Sequence, residues 1–162
     1  MKQLILVRHS EAEDHHSNGD YERNLTSYGI QKIEQLANIL IEKGFYPDLV
    51  VCSAATRAYD TAKLLSQWLN YDLKNIESYK SLYNPDIEIL IDALTNLPKD
   101  KNNIILVNHN PAISYLVELL DRTPTYLALQ PCAAVCLLFD VEDWEEINPK
   151  TGTVVWQKMQ FN

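Results

Sequence analysis

Leu4-Ile5-Leu6-Val7, followed directly by Arg8-His9-Ser10, is the segment from which the architecture of this chain can be inferred. Four consecutive apolar residues are too few to span a membrane and too apolar for a loop, which is typical of a strand covered on both faces in a parallel sheet. Open α/β sheets bind their ligands outside the carboxyl ends of the strands. Arg8 and His9 are therefore the first candidates for a functional site, with a chance pair on a surface loop as the alternative.

The length and composition are those of a globular protein. The chain has 162 residues, of which 46% are apolar and 22% are charged, and we expect them to form one domain. No segment approaches the run of about 20 apolar residues that crosses a bilayer, so no membrane partner is expected. Because the chain begins at once with a predicted strand, we also expect no signal peptide.

The cysteines indicate the cellular compartment of the protein, and the net charge limits the classes of molecule that it can bind. Cys52, Cys132 and Cys136 lie within apolar runs and are odd in number, which predicts buried, reduced thiols and a cytoplasmic location. The formal net charge is −8, and the basic residues are scattered, so nucleic acid is not an expected partner. An acidic protein that binds an anion must concentrate positive charge locally in a cleft.

Apolar runs and helical periodicity alternate along the chain. Further buried strands are predicted at residues 49–52 and 104–107, with a shorter strand near residues 75–79. The predicted helices begin at Thr26 or Ser27, at Ser53, at Asn84-Pro85 and at Asn110-Pro111. Two later runs, 133–139 and 153–161, predict an antiparallel hairpin at a sheet edge. The pattern therefore predicts a three-layer α/β sandwich, with a mostly parallel central sheet and helices on both faces.

Residues 11–24 are polar and show no periodicity, so we interpret them as a long loop over the end of the first strand. Loops of this length in compact domains are often functional. Asp14-His15-His16 within this loop raises the alternative of a metal site. Adjacent histidines on a loop lack fixed geometry and no third spaced ligand accompanies them, so we expect solvated histidines and no metal.

Four residues are expected at one edge of the sheet, because each follows the end of a predicted strand: Arg8, His9, Arg57 and His109. The planar guanidiniums of two arginines can each donate two hydrogen bonds to the oxygens of a phosphoryl group. A second imidazole and the N–H groups at a helix N-terminus can donate further hydrogen bonds to the same group. Neutral imidazole is a competent nucleophile near neutral pH. His9 is then free to attack phosphorus.

Several motifs stand in a characteristic order along the chain. They are Arg8-His9-Ser10, Arg23-Asn24-Leu25-Thr26 with Gly29, Ser53-Ala54-Ala55-Thr56-Arg57-Ala58 with Thr61-Ala62, and Asn108-His109-Asn110-Pro111. Together they resemble the histidine phosphatase superfamily, and in particular its phosphohistidine phosphatases of the SixA type. The resemblance implies a phosphoglycerate mutase-like fold, one domain over residues 1–162, no metal or other cofactor, and a phosphorylated protein as partner.

The same resemblance implies a role for each matching residue. His9 would be the phosphorylated nucleophile. Arg8, Arg57 and His109 would bind the phosphoryl group. Arg23 would organise the loop or the rim of the pocket, with an ion pair inside the acidic loop as the alternative.

The sequence departs from the family pattern at two points. The third residue of the opening motif is usually Gly but is Ser10 here, so either the backbone is ordinary or the side chain approaches the phosphate at the pocket rim. Larger phosphatases and mutases of the superfamily carry an acidic general acid after the third strand, where this chain has Leu82-Tyr83-Asn84. Asp20 is the leading candidate for the acid by resemblance to SixA-type chains, ahead of Glu11 and Asp14, and an exposed loop carboxylate is the alternative.

We therefore expect a metal-independent phosphatase that hydrolyses phosphohistidine on a protein through a covalent phosphohistidine intermediate. The alternative within enzymes is a phosphoester phosphatase or mutase for a small metabolite, which the lack of long insertions around the predicted pocket disfavours. The alternative from another class is a non-catalytic phosphate-binding interaction domain, which the presence of His9 and the arginines disfavours. The sequence does not predict the oligomeric state.

Overall fold

The computed structural model describes residues 1–123 and 126–161 and is built around one six-stranded sheet. The strands are β1 (Lys2–Arg8), β2 (Leu49–Ser53), β3 (Glu77–Tyr79), β4 (Asn103–Asn108), β5 (Ala134–Phe139) and β6 (Gly152–Lys158). The α-helices are α1 (Ser27–Glu42), α2 (Thr56–Trp68), α3 (Ile87–Thr95) and α4 (Ala112–Leu120). Every strand and helix predicted from the sequence is present.

The order of the strands across the sheet is β3-β2-β4-β1-β5-β6. The first four strands in that order run parallel, whereas β5 is antiparallel to both β1 and β6. The predicted sheet, mostly parallel with an antiparallel hairpin at one edge, is therefore confirmed. Within the described residues, no helix combines the length and the apolarity needed to cross a membrane.

Alternate residues of β1 contribute to two separate cores, because successive side chains of a strand point to opposite faces. Leu4 and Leu6 face the core beneath α3 and α4, and Ile5 and Val7 face the core beneath α1 and α2. All four side chains are fully buried. Two helices therefore cover each face of the sheet, and the three-layer prediction is confirmed.

The first predicted helix start is confirmed, and the second is wrong. The Thr26 side chain caps α1 by accepting a hydrogen bond from the Gly29 N–H at 2.9 Å. Helix α2 begins at Thr56 after Ala55, and Ser53 is still the last residue of β2. Ser53 accepts a hydrogen bond from the Ala55 N–H at 3.2 Å, which bends the chain out of the strand before the helix starts.

The other two helix starts differ from the prediction by one or two residues. Asp86 caps α3 by accepting from the Ile89 N–H at 3.0 Å, whereas Asn84 has a φ of 50°, outside the extended conformation of a capping residue. Helix α4 begins after Pro111. The Asn110 side chain does not cap it, because it donates to the Leu129 carbonyl at 2.8 Å.

The carboxyl ends of β1, β2 and β4 lie side by side, and this places the residues that follow them together. Arg8 pairs with Asn108 in the parallel ladder between β1 and β4, and Cys52 pairs with Val107 in the ladder between β2 and β4. The His9 N–H continues the first ladder by donating to the Asn108 carbonyl at 3.0 Å. The chain segments leaving the three strands therefore meet at one edge of the sheet.

Candidate active site

His9 follows β1 directly, and its side chain is buried. Its Nδ1 lies 2.8 Å from the Ser10 carbonyl oxygen, and because a carbonyl only accepts, Nδ1 carries the hydrogen. Nε2 accepts a hydrogen bond from the Arg57 Nε at 3.3 Å. Burial, together with the nearby His109 and the two arginines, lowers the pKa of His9 to about 3. The ring is therefore neutral at neutral pH, with a lone pair on Nε2.

Two guanidiniums lie at this edge of the sheet. Arg57, in the first turn of α2, donates from Nη1 to the Asp20 carbonyl oxygen at 2.8 Å and from Nη2 to the Asp20 carboxylate at 3.1 Å. Arg8 donates from Nη1 to the Leu129 carbonyl at 2.9 Å, and its buried Nε has no hydrogen-bond partner in residues 1–123 and 126–161. Burial and the nearby charge of Arg57 lower the pKa of Arg8.

His109 follows β4 and is buried beside His9, with 5.2 Å between the two ring centroids. Its Nε2 lies 2.8 Å from the Ser53 hydroxyl oxygen. Its buried Nδ1 has no hydrogen-bond partner in the described part of the chain. Burial, followed by the charge of Arg57, lowers the pKa of His109 to about 4, so this ring is also neutral at neutral pH.

Asp20 lies in a short 3-10 helix, Asp20–Glu22, within the predicted loop. Its Oδ2 accepts hydrogen bonds from the Tyr83 hydroxyl at 2.6 Å and from the Arg57 Nη2 at 3.1 Å, and its Oδ1 accepts from the Arg23 Nη1 at 3.0 Å. The Tyr83 hydrogen bond, with those of the two arginines, holds the pKa of this carboxyl well below its ordinary value. An ionised carboxylate with these contacts is better suited to orienting Arg57 than to donating a proton.

Arg23 makes both of the interactions considered for it. Its Nε donates to the Glu13 carbonyl at 2.5 Å, which organises the loop, and its Nη1 forms the ion pair with Asp20. The structure thus places Arg23 beside the carboxylate that contacts Arg57, at the outer side of the cluster.

Of the two alternatives for Ser10, the structure supports an ordinary backbone, with the side chain turned into the contact with α1 instead of lying at the pocket rim. Its side chain is fully buried, and its hydroxyl donates to the Gly29 carbonyl at 2.6 Å. Its N–H donates to the Thr61 hydroxyl at 2.9 Å. Among the described residues, the non-glycine positions with positive φ do not include Ser10, so its backbone is ordinary. The Ser10 hydroxyl therefore contacts the first turn of α1.

Among the described residues, the remaining candidates in the loop form no hydrogen bond or ion pair with this cluster. Glu11 pairs with Lys32 at 3.2 Å, and Asp14 and His15 are exposed. The His16 Nδ1 accepts from the Asn18 N–H at 3.0 Å. Residues 1–123 and 126–161 contain no group of three or more His, Cys, Asp or Glu side chains that could hold a metal ion.

Sequence reasoning missed Tyr83 as part of the site. Besides its hydrogen bond to Asp20, its ring packs edge-on against His109, with centroids 5.7 Å apart, and against Tyr21, with centroids 4.9 Å apart. The available signal was its position after the third strand, where the resemblance to the family led us to look for an acidic residue. Ser53 was interpreted as a helix cap, although it contacts His109.

A cavity of about 250 Å³ lies beside His109. It is lined by the exposed ring of Tyr115 and by residues at or just before the starts of α3 and α4, which include Asn84, Pro85, Ile87, Asn110 and Pro111. The cavity adjoins the histidine and arginine cluster, so it offers space for the part of a ligand that extends beyond an anionic group bound there.

Comparisons of the sequence with known proteins identify related chains. Residues 4–88 match the sequence profile of the histidine phosphatase superfamily (branch 1). An uncharacterized chloroplastic protein of Arabidopsis thaliana is 26% identical over 165 residues, an alignment that covers 96% of this chain and 75% of that protein.

Comparisons with solved structures agree with the profile. The protein histidine phosphatase SixA, solved in complex with tungstate, is 25% identical, with a TM-score of 0.82 over 97% of this chain and 96% of that chain. A mycobacterial glucosyl-3-phosphoglycerate phosphatase is 16% identical, with a TM-score of 0.67 over 95% of this chain and 97% of that chain. The phosphoserine phosphatase of Entamoeba histolytica is 18% identical, with a TM-score of 0.66 over 99% of this chain and 98% of that chain.

Proposed function

Because this chain belongs to the histidine phosphatase superfamily and is similar to SixA, we propose that it hydrolyses phosphohistidine on a protein through a covalent phosphohistidine at His9. One observation carries the proposal. The buried His9 is neutral and presents the lone pair of Nε2 to a guanidinium, within a cluster that also contains Arg8 and His109. A nucleophilic nitrogen therefore lies where donors for an anionic group converge.

The first step of the proposed reaction transfers the phosphoryl group to the enzyme. Arg8, Arg57 and His109 hold the phosphoryl oxygens, as preorganised donors for charge that develops in the transition state. The His9 Nε2 forms a bond to phosphorus while the phosphorus–nitrogen bond of the substrate breaks. The electron pair leaves with the substrate ring, which departs as neutral imidazole because its other nitrogen carries a proton taken from solvent. In the second step water attacks phosphorus, which releases inorganic phosphate and regenerates neutral His9. Neither step requires a metal ion.

Oxyanion binding by a relative supports this use of the cluster. SixA was solved with tungstate, a tetrahedral oxyanion that resembles phosphate. In this chain the orphaned Arg8 Nε and His109 Nδ1 are polar atoms that such an anion would satisfy. The cavity beside His109 would then receive the part of the substrate that carries the leaving group.

The leaving group favours phosphohistidine over an alkyl phosphoester. Imidazole has a reference pKa of about 6.5 and departs readily at neutral pH, whereas cleavage of an alkyl ester gains about 10²–10⁴ from a positioned general acid. The carboxylate nearest to Arg57 in the contact network, Asp20, is held ionised. Because metabolite phosphatases share this fold, a direct comparison of substrates must decide between the two classes.

Three further properties belong to the same proposal. We propose that residues 1–162 form one histidine phosphatase domain, which the coverage of the SixA structure supports. We propose a phosphorylated protein as the partner. We propose a cytoplasmic location, which three free, buried cysteines support because thiols persist in a reducing compartment.

The test is incubation with a protein that carries labelled phosphohistidine, in the presence of EDTA. Wild-type protein and the His15→Ala control should release phosphate, and rapid quenching should trap acid-labile phosphate on the enzyme. His9→Ala should do neither. Retained turnover in His9→Ala would refute the nucleophile assignment, and binding of phosphohistidine without turnover in the wild type would favour the interaction domain. Equal or faster hydrolysis of an alkyl phosphoester would favour a metabolite phosphatase.

A further inference from the structure

The two nitrogens of the His109 ring are in different situations. Nε2 lies 2.8 Å from the Ser53 hydroxyl oxygen, whereas Nδ1 is buried without a partner in the described residues. The low pKa of His109, about 4, means that the ring carries one hydrogen at neutral pH. Which nitrogen holds that hydrogen decides whether the free nitrogen can donate or only accept a hydrogen bond.

Ser53 has a hydrogen to give to Nε2. Its hydroxyl oxygen accepts from the Ala55 N–H at 3.2 Å, so one lone pair is already used by a backbone donor. The single hydroxyl hydrogen is then free to point at the His109 Nε2. In that arrangement Nε2 is the acceptor, and the ring hydrogen must lie on Nδ1.

The opposite tautomer fits an anion site poorly. If Nε2 carried the hydrogen, the Ser53 oxygen would accept from both Ala55 and His109, and Nδ1 would present a lone pair to the bound group. An unpaired acceptor beside a phosphoryl oxygen is repelled by it, whereas an N–H donor stabilises it. His9 shows the same principle, because the Ser10 carbonyl places its hydrogen on Nδ1 and leaves the lone pair on Nε2.

The position of Ser53 at the end of a buried strand fixes the contact between its hydroxyl and the His109 Nε2. Ser53 is the last residue of β2, and the β2–β4 ladder, in which Cys52 pairs with Val107, places it beside the end of β4, which His109 follows directly. Its side chain is fully buried, so water does not compete for the hydroxyl. The same turn continues into α2, which carries Arg57. One segment thus supplies both a guanidinium and the partner of the second imidazole.

We propose that Ser53 is a positioning residue that fixes His109 as the tautomer with hydrogen on Nδ1, so that His109 donates a hydrogen bond to the phosphoryl group. The donation to phosphate rests on the proposed function. The tautomer itself does not, and it can be measured on the free protein.

The direct test is long-range ¹H–¹⁵N correlation NMR of the imidazole nitrogens at neutral pH. Such spectra distinguish protonated from unprotonated ring nitrogens for each of the four histidines. Loss of one set of signals in His109→Gln assigns His109. Wild-type protein should show a protonated Nδ1 and an unprotonated Nε2 at His109. A protonated Nε2 in the wild type overturns the proposal without any Ser53 variant.

Substitutions of Ser53 and Ser66 distinguish an effect on the His109 tautomer from a general effect on packing. Ser53→Ala should move His109 toward the Nε2-protonated form or a mixture, and Ser53→Thr, which keeps the hydroxyl, should restore the wild-type pattern. Ser66→Ala is the matched control, because Ser66 is also fully buried and its hydroxyl has no partner in the described residues. It should leave the His109 signals unchanged. An unchanged tautomer in a folded Ser53→Ala protein also overturns the proposal.

Activity measurements provide the second readout. Ser53→Ala should lower kcat/KM for phosphohistidine about tenfold to a hundredfold, as losses of outer partners do for metal-bound histidines, and Ser53→Thr should recover most of it. Wild-type activity in Ser53→Ala together with a shifted tautomer would refute the donation to phosphate. If the wild type hydrolyses no phosphohistidine, the proposed function fails, whereas the NMR result still decides the tautomer.

Discussion

At the scale of single residues, burial determines the protonation of the two histidines in the site. Each is almost fully enclosed and lies near a guanidinium, and both effects disfavour a second positive charge on the ring. A hydrogen bond to the Ser10 carbonyl places the hydrogen of His9 on Nδ1, and we propose that Ser53 fixes the hydrogen of His109 on Nδ1 as well. In the proposed mechanism, the same side-chain type thus serves as nucleophile at one position and as hydrogen-bond donor at the other.

The lowered pKa values predict that acid destabilises the protein as the pH falls from about 6.5 toward 4. In the unfolded chain a histidine binds a proton below about pH 6.5, whereas folded His109 and His9 do so only near pH 4 and 3. The unfolded state therefore binds more protons between about pH 6.5 and 4, and the free energy of unfolding should fall as the pH falls through that window. The limiting slope is about 1.4 kcal/mol per pH unit for each histidine.

Urea unfolding at pH 7, 6 and 5 measures this slope. His109→Gln should lower the slope of unfolding free energy with pH by the contribution of one histidine. His15→Gln, at an exposed position, should give the same slope as the wild type. If His109→Gln and the wild type lose stability in parallel, folding does not lower the pKa of His109, and this prediction is wrong.

Asp20 provides a second prediction at this scale. Asp20→Asn should lower kcat/KM about tenfold to a hundredfold, because Arg57 loses its charged partner and the phosphoryl group is held less well. Since this is a positioning effect, phosphohistidine and p-nitrophenyl phosphate should be affected alike. Glu22→Gln is the control, because Glu22 is a second carboxylate of the same 3-10 helix and pairs with the Thr56 hydroxyl at 3.2 Å. A loss confined to the ester would instead identify Asp20 as a general acid.

At the scale of elements, the beginning of α1 supports the segment that follows His9. The Glu11 carbonyl accepts from the Thr26 N–H at 3.0 Å, and the Ser10 hydroxyl donates to the Gly29 carbonyl at 2.6 Å. A Cβ atom at Gly29 would overlap the Glu11 carbonyl oxygen. The close approach of helix and loop therefore requires a residue without a side chain at position 29.

Gly29→Ala should consequently destabilise the protein by about 1–3 kcal/mol, the range for an overpacked site, although Gly→Ala inside a helix is normally favourable. It should also lower activity, because residues 10 and 11 must shift away from the helix. Denaturant unfolding and kcat/KM on one preparation measure both effects. Asn38→Ala, at an exposed position of the same helix, should be neutral or slightly stabilising. A stabilised and fully active Gly29→Ala would show that this contact is not tight.

At the scale of the whole molecule, one edge of the sheet carries the candidate active site, and the opposite edge carries a structural contact between β1 and the turn before β4. The carboxyl ends of the strands carry the histidines and arginines, whereas the start of β1 carries the buried Lys2. The Lys2 ammonium donates to the Lys99 carbonyl at 2.5 Å, to the Asn102 side chain at 2.8 Å and to the Lys101 carbonyl at 3.2 Å. It thus joins β1 to the turn that leads into β4.

Lys2→Ala should cost about 2–4 kcal/mol of unfolding free energy, because it leaves a cavity where the buried side chain lay and removes the donor to the Lys99 carbonyl and the Asn102 side chain. Because Lys2 lies at the opposite end of β1 from His9, kcat/KM of the folded enzyme should stay at the wild-type value. Lys99→Ala, in the same turn, removes only a mostly exposed side chain and should change stability by less than about 0.5 kcal/mol. A similar loss in both variants would show that the ammonium of Lys2 is not a structural link.

The sequence by itself determined the architecture and the convergence of the principal site residues. Apolar runs of strand length alternate with helical periodicity, and this pattern is local, so it can be recognised without knowing the tertiary contacts. The carboxyl ends of parallel strands necessarily share one edge of the sheet. Arg8, His9 and His109 were therefore predicted to be neighbours from their positions after β1 and β4, and they are.

Only the tertiary structure decided how the polar side chains around them are used. The Ser10 hydroxyl turns toward Gly29, Ser53 turns toward His109 instead of capping α2, and Asp20 is held ionised by Tyr83 and arginines. Apart from Arg23, which is three residues from Asp20, each of these partners lies far along the chain from the group it contacts. Local periodicity predicts which face of a helix or strand is buried. It does not predict the hydrogen-bond partner of a hydroxyl or carboxylate, because that partner is the group that the packing of distant elements brings within about 3 Å.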